Sequence, residues 1–486
     1  IYTAMAFRLA RRTGRSDVTA MPLGLDTPST FGSVFLVLGP AFAHASRAVE
    51  QGGMGLDAEG AARHAWFVGV AMILASGLFK LACAPFSGWI RRAIPRAGLL
   101  GSLAAIALVI ISLMPLLDVV AQPVAGLVSL AVILACLTAR FELPGRLPGA
   151  LGALLIGCLV YYGMGLAGLG PGLGSEPPST ALRFVLPMPM GEWSTWFGLH
   201  WAEALGYLPV ALPLALATVV GGIDCTESAA AAGDDYPTGQ IIAFEGISAI
   251  VGGLFGGVIQ STPYIGHPAY KAMGARAAYT LATAIFVGLA GVLGYFDWIF
   301  FVIPKAVVFP ILIFVGLEIA SQSFRATPTR HFPALALACV PALAYLVNIT
   351  MGQVVGDSGK SVAEFRPEVA HLIETITVLS GGFLVTSLLW ATWLAWLVDG
   401  RARAAALALV IAGGLSLVGV IHSPLPSSPV LSPDRAMAQL RDPANPADLG
   451  RFEAARGQTP YHWAAAYFLM AGVTLVIGSR RREEEI

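Results

Sequence analysis

Residues 221–280 read GGIDCTESAAAAGDDYPTGQIIAFEGISAIVGGLFGGVIQSTPYIGHPAYKAMGARAAYT. In this stretch Asp224, Glu227, Glu245, Lys271 and Arg276 stand among apolar segments long enough to cross a bilayer, in a chain of which only 12% of residues are charged. An ionisable side chain at membrane depth is costly unless it pairs or lines a polar cavity, so these residues mark a functional site by default. The rest of the chain reads as the scaffold that holds it.

Working outward, 486 residues at 56% hydrophobic composition and a mean hydropathy of +0.73 place the chain among all-α polytopic membrane proteins. A soluble fold is excluded, and the lipid bilayer is the first partner implied. Nucleic acid is not a partner, because no basic stripe with interleaved aromatics lies outside the apolar runs. Cys83, Cys136, Cys158, Cys225 and Cys339 fall in or beside apolar segments without CxxC spacing, so they read as small buried hydrophobes. No HExxH, GxSxG or paired His/Asp metal spacing occurs, so neither an enzyme nor a metal site is expected. The first residues, IYTAMAFRLA, read as the end of a helix entering the basic loop RRTGR, and one or more preceding spans are expected to be missing.

Spans are predicted at 62–84, 97–118, 121–139, 147–167, 205–230, 239–258, 261–276, 278–296, 303–322, 332–350, 376–398, 402–421 and 462–479. The segments 168–203, 351–375 and 423–460 read as loops, the first carrying the aromatic patch WSTWFGLHW as an interfacial or extracytoplasmic cap. Basic clusters test this order, since Arg and Lys in short loops prefer the cytoplasmic side. With Arg11, Arg12 and Arg15 inside, the groups Arg91/Arg92/Arg96, Arg140/Arg146, Arg325/Arg330, Arg401/Arg403 and Arg480–Arg482 all fall on the same side. The three long loops fall on the other, and the C-terminus is cytoplasmic. Trp390, Trp393 and Trp396 recur at every third position and read as an interfacial belt.

Segments 22–42 and 257–277 are unusually interrupted: DTPSTFG at 26–32 and STPYIG at 261–266 each place Thr-Pro, an aromatic and Gly ahead of a helical run. The first runs outward and the second inward. A pair of Gly/Pro-interrupted spans in two inverted halves points to a transporter's substrate site near the midplane. The helical part of such a span begins inside the membrane with unpaired N–H groups, an end that suits a carbonyl oxygen or an anion. In the second segment Pro268 is placed to open the helix, leaving Thr262 to His267 extended. Asp224, Glu227 and Ser228 share one face of their helix at i, i+3 and i+4. A carboxylate there accepts N–H donors and can take up and release a proton, and His267 titrates near neutrality when unperturbed. Glu245, in a Gly/Ala/Ser-rich span, reads as a partnered structural acid. Lys271 reads as the partner of an acid.

The order GGIDCTES, AFEGISAIVGGLFGG and QSTPYIGHPAYKAMGARAAYT, with LPGRLPGALGALLIGCLVYYG at 143–163 and VIPKAVVFPILIFVGLEIAS at 302–321, resembles the nucleobase:cation symporter family of xanthine/uracil permease type. The IP…P…VGL pattern of the last segment is also similar to the purine-permease branch. The resemblance covers roughly residues 1–350 and is most specific over 221–280. It implies a seven-plus-seven inverted-repeat transporter with core and gate domains, two discontinuous spans and elevator-like alternation, located in the cell (inner) membrane, with a homodimer compatible with it. On that register 1–167 is the remainder of the first repeat, 168–203 an extracytoplasmic loop, 204–398 the second repeat with the substrate site, and 399–486 an extra hairpin with a basic tail.

Carried over position by position, the resemblance puts Asp224 at the substrate-binding acid, with Glu227 as the alternative if the register slips. Thr30 and Phe31 take the polar and aromatic base contacts of the third span, and Thr262, Tyr264 and Ile265 fall in the tenth-span motif. Where many members have a second carboxylate, this chain has Gly266-His267-Pro268-Ala269. The expected substrate-site residues are therefore Asp224, Glu227, Ser228, Thr30, Phe31, Thr262, Tyr264, Ile265 and His267, with Asp224, Glu227 and His267 handling the coupled proton. The implied activity is secondary active transport of a nucleobase such as xanthine or uracil by proton symport, with Na+ as the alternative ion and no cofactor. The missing second carboxylate and Lys271 favour a rival reading as an anion transporter or exchanger, and a passive channel is the rival of another class.

Overall fold

The computed structural model describes residues 1–25, 33–46, 54–170, 184, 186–187, 189, 191–259, 261–264, 266–358, 360, 362–425, 430–441 and 458–484. Thr30, Phe31 and Ile265, three of the expected substrate contacts, lie outside the described residues.

Helix α1 (Tyr2–Thr13) ends on Gly14 in the left-handed conformation and gives way to an extended segment and strand β1 (Leu23–Leu25). Helix α2 (Gly39–Ser46) follows a π-helical turn at Val34–Leu38. Helix α3 (Ala58–Ala93) is longer than the predicted 62–84. Asp57 caps its start by accepting from the Gly60 N–H at 2.9 Å, and Arg91 and Arg92 suit the negative end of its dipole. Helix α4 (Arg96–Ile106) continues through a π-turn (Ala107–Ser112) into α5 (Leu113–Ala121), followed by α6 (Pro123–Ile133) and α7 (Gly149–Leu166). Helix α8 (Gly191–Gly206) occupies part of the expected loop 168–203, because its aromatic side chains find apolar partners on α3.

The second half contains α9 (Leu208–Ala231), α10 (Thr238–Leu254), strand β2 (Ser261–Pro263), α11 (His267–Ala272), α12 (Tyr279–Leu293), α13 (Phe296–Val302), α14 (Lys305–Val308), α15 (Pro310–Arg325) and α16 (Phe332–Ser358). It closes with α17 (Pro367–Ser380), α18 (Phe383–Val398), α19 (Ala402–Leu417), α20 (Pro433–Leu440) and α21 (Pro460–Glu484). Helices α16 and α17 extend into 351–375, predicted as loop: α16 continues through Gly352 and Gly356 to Ser358, and Pro367 opens α17 at a position where its missing N–H costs nothing. Among the described residues, seven helices are long and apolar enough to cross a membrane, and the α17–α18 pair makes an eighth if counted as one span. The chain is an all-α, multi-pass membrane protein.

The two interrupted segments meet. β1 pairs antiparallel with β2, with Leu23 opposite Pro263, Gly24 opposite Thr262 and Leu25 opposite Ser261. The Tyr264 N–H donates to the Pro22 carbonyl at 2.8 Å, and the Tyr264 ring covers Gly24, where a Cβ would lie 2.8 Å from its Cδ2. Backbone that leaves the helix at membrane depth must bond elsewhere within the protein, and each strand supplies the other's partners.

A third interruption was not predicted. The span expected at 376–398 is the bent pair α17–α18, folded by 71° at Gly381-Gly382, with Gly382 at φ 65°. The connection after α19 seats there: His422 N–H donates to the Gly381 carbonyl at 3.0 Å, and the buried His422 ring stacks on Trp463 at 3.9 Å. The tryptophan belt is corrected by the same packing. Trp390 donates to the Tyr467 hydroxyl at 2.8 Å and Trp393 to Thr474 Oγ1 at 3.3 Å, so both dock the C-terminal hairpin, while Trp396 carries Arg401 over its ring.

Helix α3 packs most extensively along α10, where small residues let the backbones approach. A Cβ on Gly77 would lie 2.6 Å from Ile250 Cγ1 and 2.8 Å from the Gly246 carbonyl. Gly77→Leu is therefore expected to lower the apparent Tm of the detergent-solubilised protein sharply, the strain being about 1–3 kcal/mol or more. Gly288→Leu, at an exposed position with no neighbour within 4 Å, should leave it unchanged. Equal Tm values for the two variants would refute this packing.

Candidate functional site

Helix α9 carries the GGIDCTES motif into the protein interior. Gly222 permits close approach of α10, since a Cβ there would sit 2.5 Å from Ile242 Cδ1. Cys225 Sγ donates to the Pro263 carbonyl at 3.2 Å, tying α9 to the strand of the second interrupted segment. One position earlier, Asp224 is fully buried and turned towards α4, with Oδ2 2.5 Å from Ser102 Oγ. Its Oδ1 has no hydrogen-bonding partner among the described residues. Ser102 Oγ is also 2.9 Å from the Leu99 carbonyl. A hydroxyl has one proton to give, so this geometry serves two states. An ionised Asp224 accepts from Ser102, whereas a protonated Asp224 donates to Ser102, which then donates to Leu99.

Glu227 and Ser228 share the predicted face with Asp224 but meet different neighbours. Glu227 is held by two guanidinium groups, Arg91 Nε at 2.8 Å and Arg96 Nε at 2.7 Å. Arg91 also bonds Asp235 Oδ1 at 3.0 Å. These groups border a cavity of about 690 Å³ that Arg12 and Arg92 also line. Ser228 is buried, and its carbonyl accepts from Gln322 Nε2 on α15 at 3.4 Å. Thr262 is buried on β2 opposite Gly24, and the Tyr264 ring lies 6.0 Å from that of Tyr270.

His267 is buried at the start of α11, with Nε2 3.1 Å from Asp234 Oδ2. Asp234 itself, in the turn between α9 and α10, is the residue sequence reasoning passed over. Fully buried, it takes the Thr19 N–H at 3.0 Å, Lys271 Nζ at 2.8 Å and Arg15 Nη2 at 3.4 Å. Lys271 thus pairs with Asp234 rather than with Asp224 or Glu227, and the anion His267 faces is the protein's own. The signal was present in GDDYPTG, a turn with adjacent acids, but only the fold shows which acid turns inward. Arg276 is exposed and bonds the neighbouring Ala275 carbonyl, outside this group.

Burial pushes the Asp234 carboxyl up, but its bonds from His267, Lys271 and the Thr19 N–H outweigh this and hold it below the usual carboxylate range. Beside it, the Arg15 guanidinium lowers half-buried Asp17 to about 2. Deeper in the protein Lys80 Nζ and Glu245 Oε1 form a fully buried ion pair at 2.6 Å across the α3–α10 contact, the partnered role expected for Glu245. Among the described residues, His64, His200 and Glu203 are the group whose donor atoms can converge on a metal; His200 and Glu203 stand at i, i+3 on α8, while only the fold brings His64 to them.

Asp234 joins the segment before β1, the α9–α10 turn and α11, so Asp234→Asn is expected to lower the apparent Tm more than Lys271→Met, which leaves Asp234 with Arg15, His267 and Thr19. Removing one side of a buried ion pair costs about 3–5 kcal/mol. Because the folded pKa is depressed, this stabilisation is complete above the unfolded value of about 3.9 and is lost as pH falls through the lower folded value. The Tm gap between wild type and Asp234→Asn should therefore stay constant from neutral pH to about 5 and narrow only below about 4. A gap that closes between pH 8 and 6 would refute the assignment.

No protein-family model and no curated protein sequence matches this chain.

Proposed function

We propose that this membrane protein is a secondary active transporter that carries a nucleobase or a similar small heterocycle, driven by protons with Na+ as the alternative ion. The observation that carries the reading is the antiparallel pairing of β1 with β2, the two interrupted segments, beside a helix bearing a buried carboxylate. An inverted repeat about an axis in the membrane plane would juxtapose equivalent interrupted segments in opposite directions, and the antiparallel pair supports that reading. Asp224 supplies a binding and coupling group: its buried Oδ1, without a hydrogen-bonding partner among the described residues, would accept an N–H of a heterocycle once the site opens, and the Ser102–Leu99 arrangement accommodates the acid with or without its proton. Ser102 lies on α4, which packs against α16 and α18, so substrate that takes over Asp224 also loosens its bond to that group of helices. That is the coupling an elevator-like alternation between core and gate requires.

A specific observation favours a second reading, transport or exchange of an anion. The cavity at Glu227 is lined by Arg12, Arg91, Arg92 and Arg96 against Glu227 and Asp235, and no carboxylate stands at position 267.

Uptake of radiolabelled xanthine, uracil, adenine, guanine and urate by cells producing the full-length protein, with and without a protonophore, separates these readings. Accumulation of one base above equilibrium, abolished by the protonophore and by Asp224→Asn, is the expected result. No uptake of any base by correctly inserted protein overturns the nucleobase reading and favours the anion reading. Uptake that never exceeds equilibrium indicates a channel.

A further inference from the structure

The start of α3 and the helix α8 bring together three metal-ligating side chains that the site on α9 does not use. Trp193 Nε1 donates to the Phe67 carbonyl at 3.1 Å, the Trp196 ring lies 5.6 Å from Phe67, and Arg63 pairs with Glu192, so α8 is held firmly across the first turns of α3. This contact places His64, which is buried, with Nε2 2.9 Å from Glu203 Oε1. The backbone of α8 leaves helical geometry at His200 (φ −117°, ψ 19°), and His200 Nδ1 lies 3.6 Å from Glu203 Oε2. The donor atoms of His64, His200 and Glu203 all lie within 4.8 Å of one another.

We propose that His64, His200 and Glu203 bind a divalent transition metal of the Zn2+ type, on the face opposite the arginine clusters. Two imidazoles and a carboxylate are a zinc donor set, and imidazole selects against Mg2+ and Ca2+. Metal–ligand bonds of about 2.1 Å in tetrahedral geometry require donor separations of about 3.4 Å. The separations from His64 to Glu203 Oε1 (2.9 Å) and from His200 to Glu203 Oε2 (3.6 Å) run to the two oxygens of one carboxylate, and a side-chain adjustment of partly exposed His200 brings all three donors, now within 4.8 Å of one another, to that value. The fourth position is left to water. The metal would pin α8 to α3 and stabilise the folded chain by an amount that rises with the logarithm of the free metal concentration above its Kd. On the positive-inside reading, the ion arrives from the extracytoplasmic side.

One neighbour opposes the metal and makes the proposal sharper. Trp196 Nε1–H donates to His64 Nδ1 at 3.2 Å, so in the metal-free arrangement His64 carries its proton on Nε2 and gives it to Glu203. An imidazole that binds metal through Nε2 keeps its proton on Nδ1, where it cannot accept from Trp196. Metal binding therefore displaces the indole N–H, and Trp196→Phe removes that competition while keeping every ligand.

Titration calorimetry of the detergent-purified full chain with Zn2+ tests this, with Mg2+ as a control. The expected result is one Zn2+ per chain, no heat with Mg2+, affinity at least tenfold weaker in His200→Ala, and tighter binding in Trp196→Phe. His64 is buried and its replacement disturbs the α3–α8 packing, so His200→Ala, at a partly exposed position, carries the test. A wild-type chain that binds no Zn2+ overturns the proposal, as does an unchanged isotherm in His200→Ala. Equal loss in His200→Ala and Trp196→Phe also overturns it, since that would reflect packing of α8 rather than ligation.

Discussion

An interrupted helix in a membrane leaves backbone N–H and C=O groups with no water to bond, and the pairing of β1 with β2 is how this chain meets that constraint. Neither three-residue strand has a partner within its own segment. Once paired, they fix where α11 begins and where the segment after α1 ends, and Cys225 ties the pair to α9. Asp224 then lies one residue away, buried on the adjacent face of α9. The position of the candidate site follows from a backbone hydrogen-bonding requirement before any side-chain chemistry is considered.

The buried charges divide into two kinds. Lys80–Glu245 and the group around Asp234 pair closely and link separate elements, so their attraction offsets the desolvation that burial imposes. Among the described residues, Asp224 has the Ser102 hydroxyl as its hydrogen-bond partner and retains an oxygen without one. A carboxyl left in that condition is costly to stability as an anion, and a changing occupant, proton or ligand, is the kind of function that retains it. Glu227 stands between these cases. It is paired as firmly as a structural acid, yet it borders a solvent-sized cavity rich in arginine.

Tertiary contacts changed the reading wherever a segment's partner lay far away in the chain. Trp390 and Trp393 had the spacing of an interfacial belt but face hydroxyls on α21. The aromatic patch at 193–201 reads as part of a loop and is in fact helical, with α3 offering a carbonyl and an imidazole to its indole N–H groups. The bend at Gly381-Gly382 falls inside the apolar run 376–398, which reads as one span, and the His422 N–H docks on the Gly381 carbonyl at that point.

Composition and the length of the apolar runs by themselves determined a multi-pass helical protein, because a chain this apolar has only the bilayer to bury its surface in. The Thr-Pro and Gly punctuation singled out both interrupted segments, and the i, i+3, i+4 spacing singled out the face of Asp224, both being properties of local backbone geometry. Which acid meets which base was decided only by the tertiary structure: Lys271 with Asp234, Glu227 with Arg91 and Arg96, Glu245 with Lys80. Charges attract across space without regard to chain separation, so a pairing has no period or spacing by which a sequence could record it.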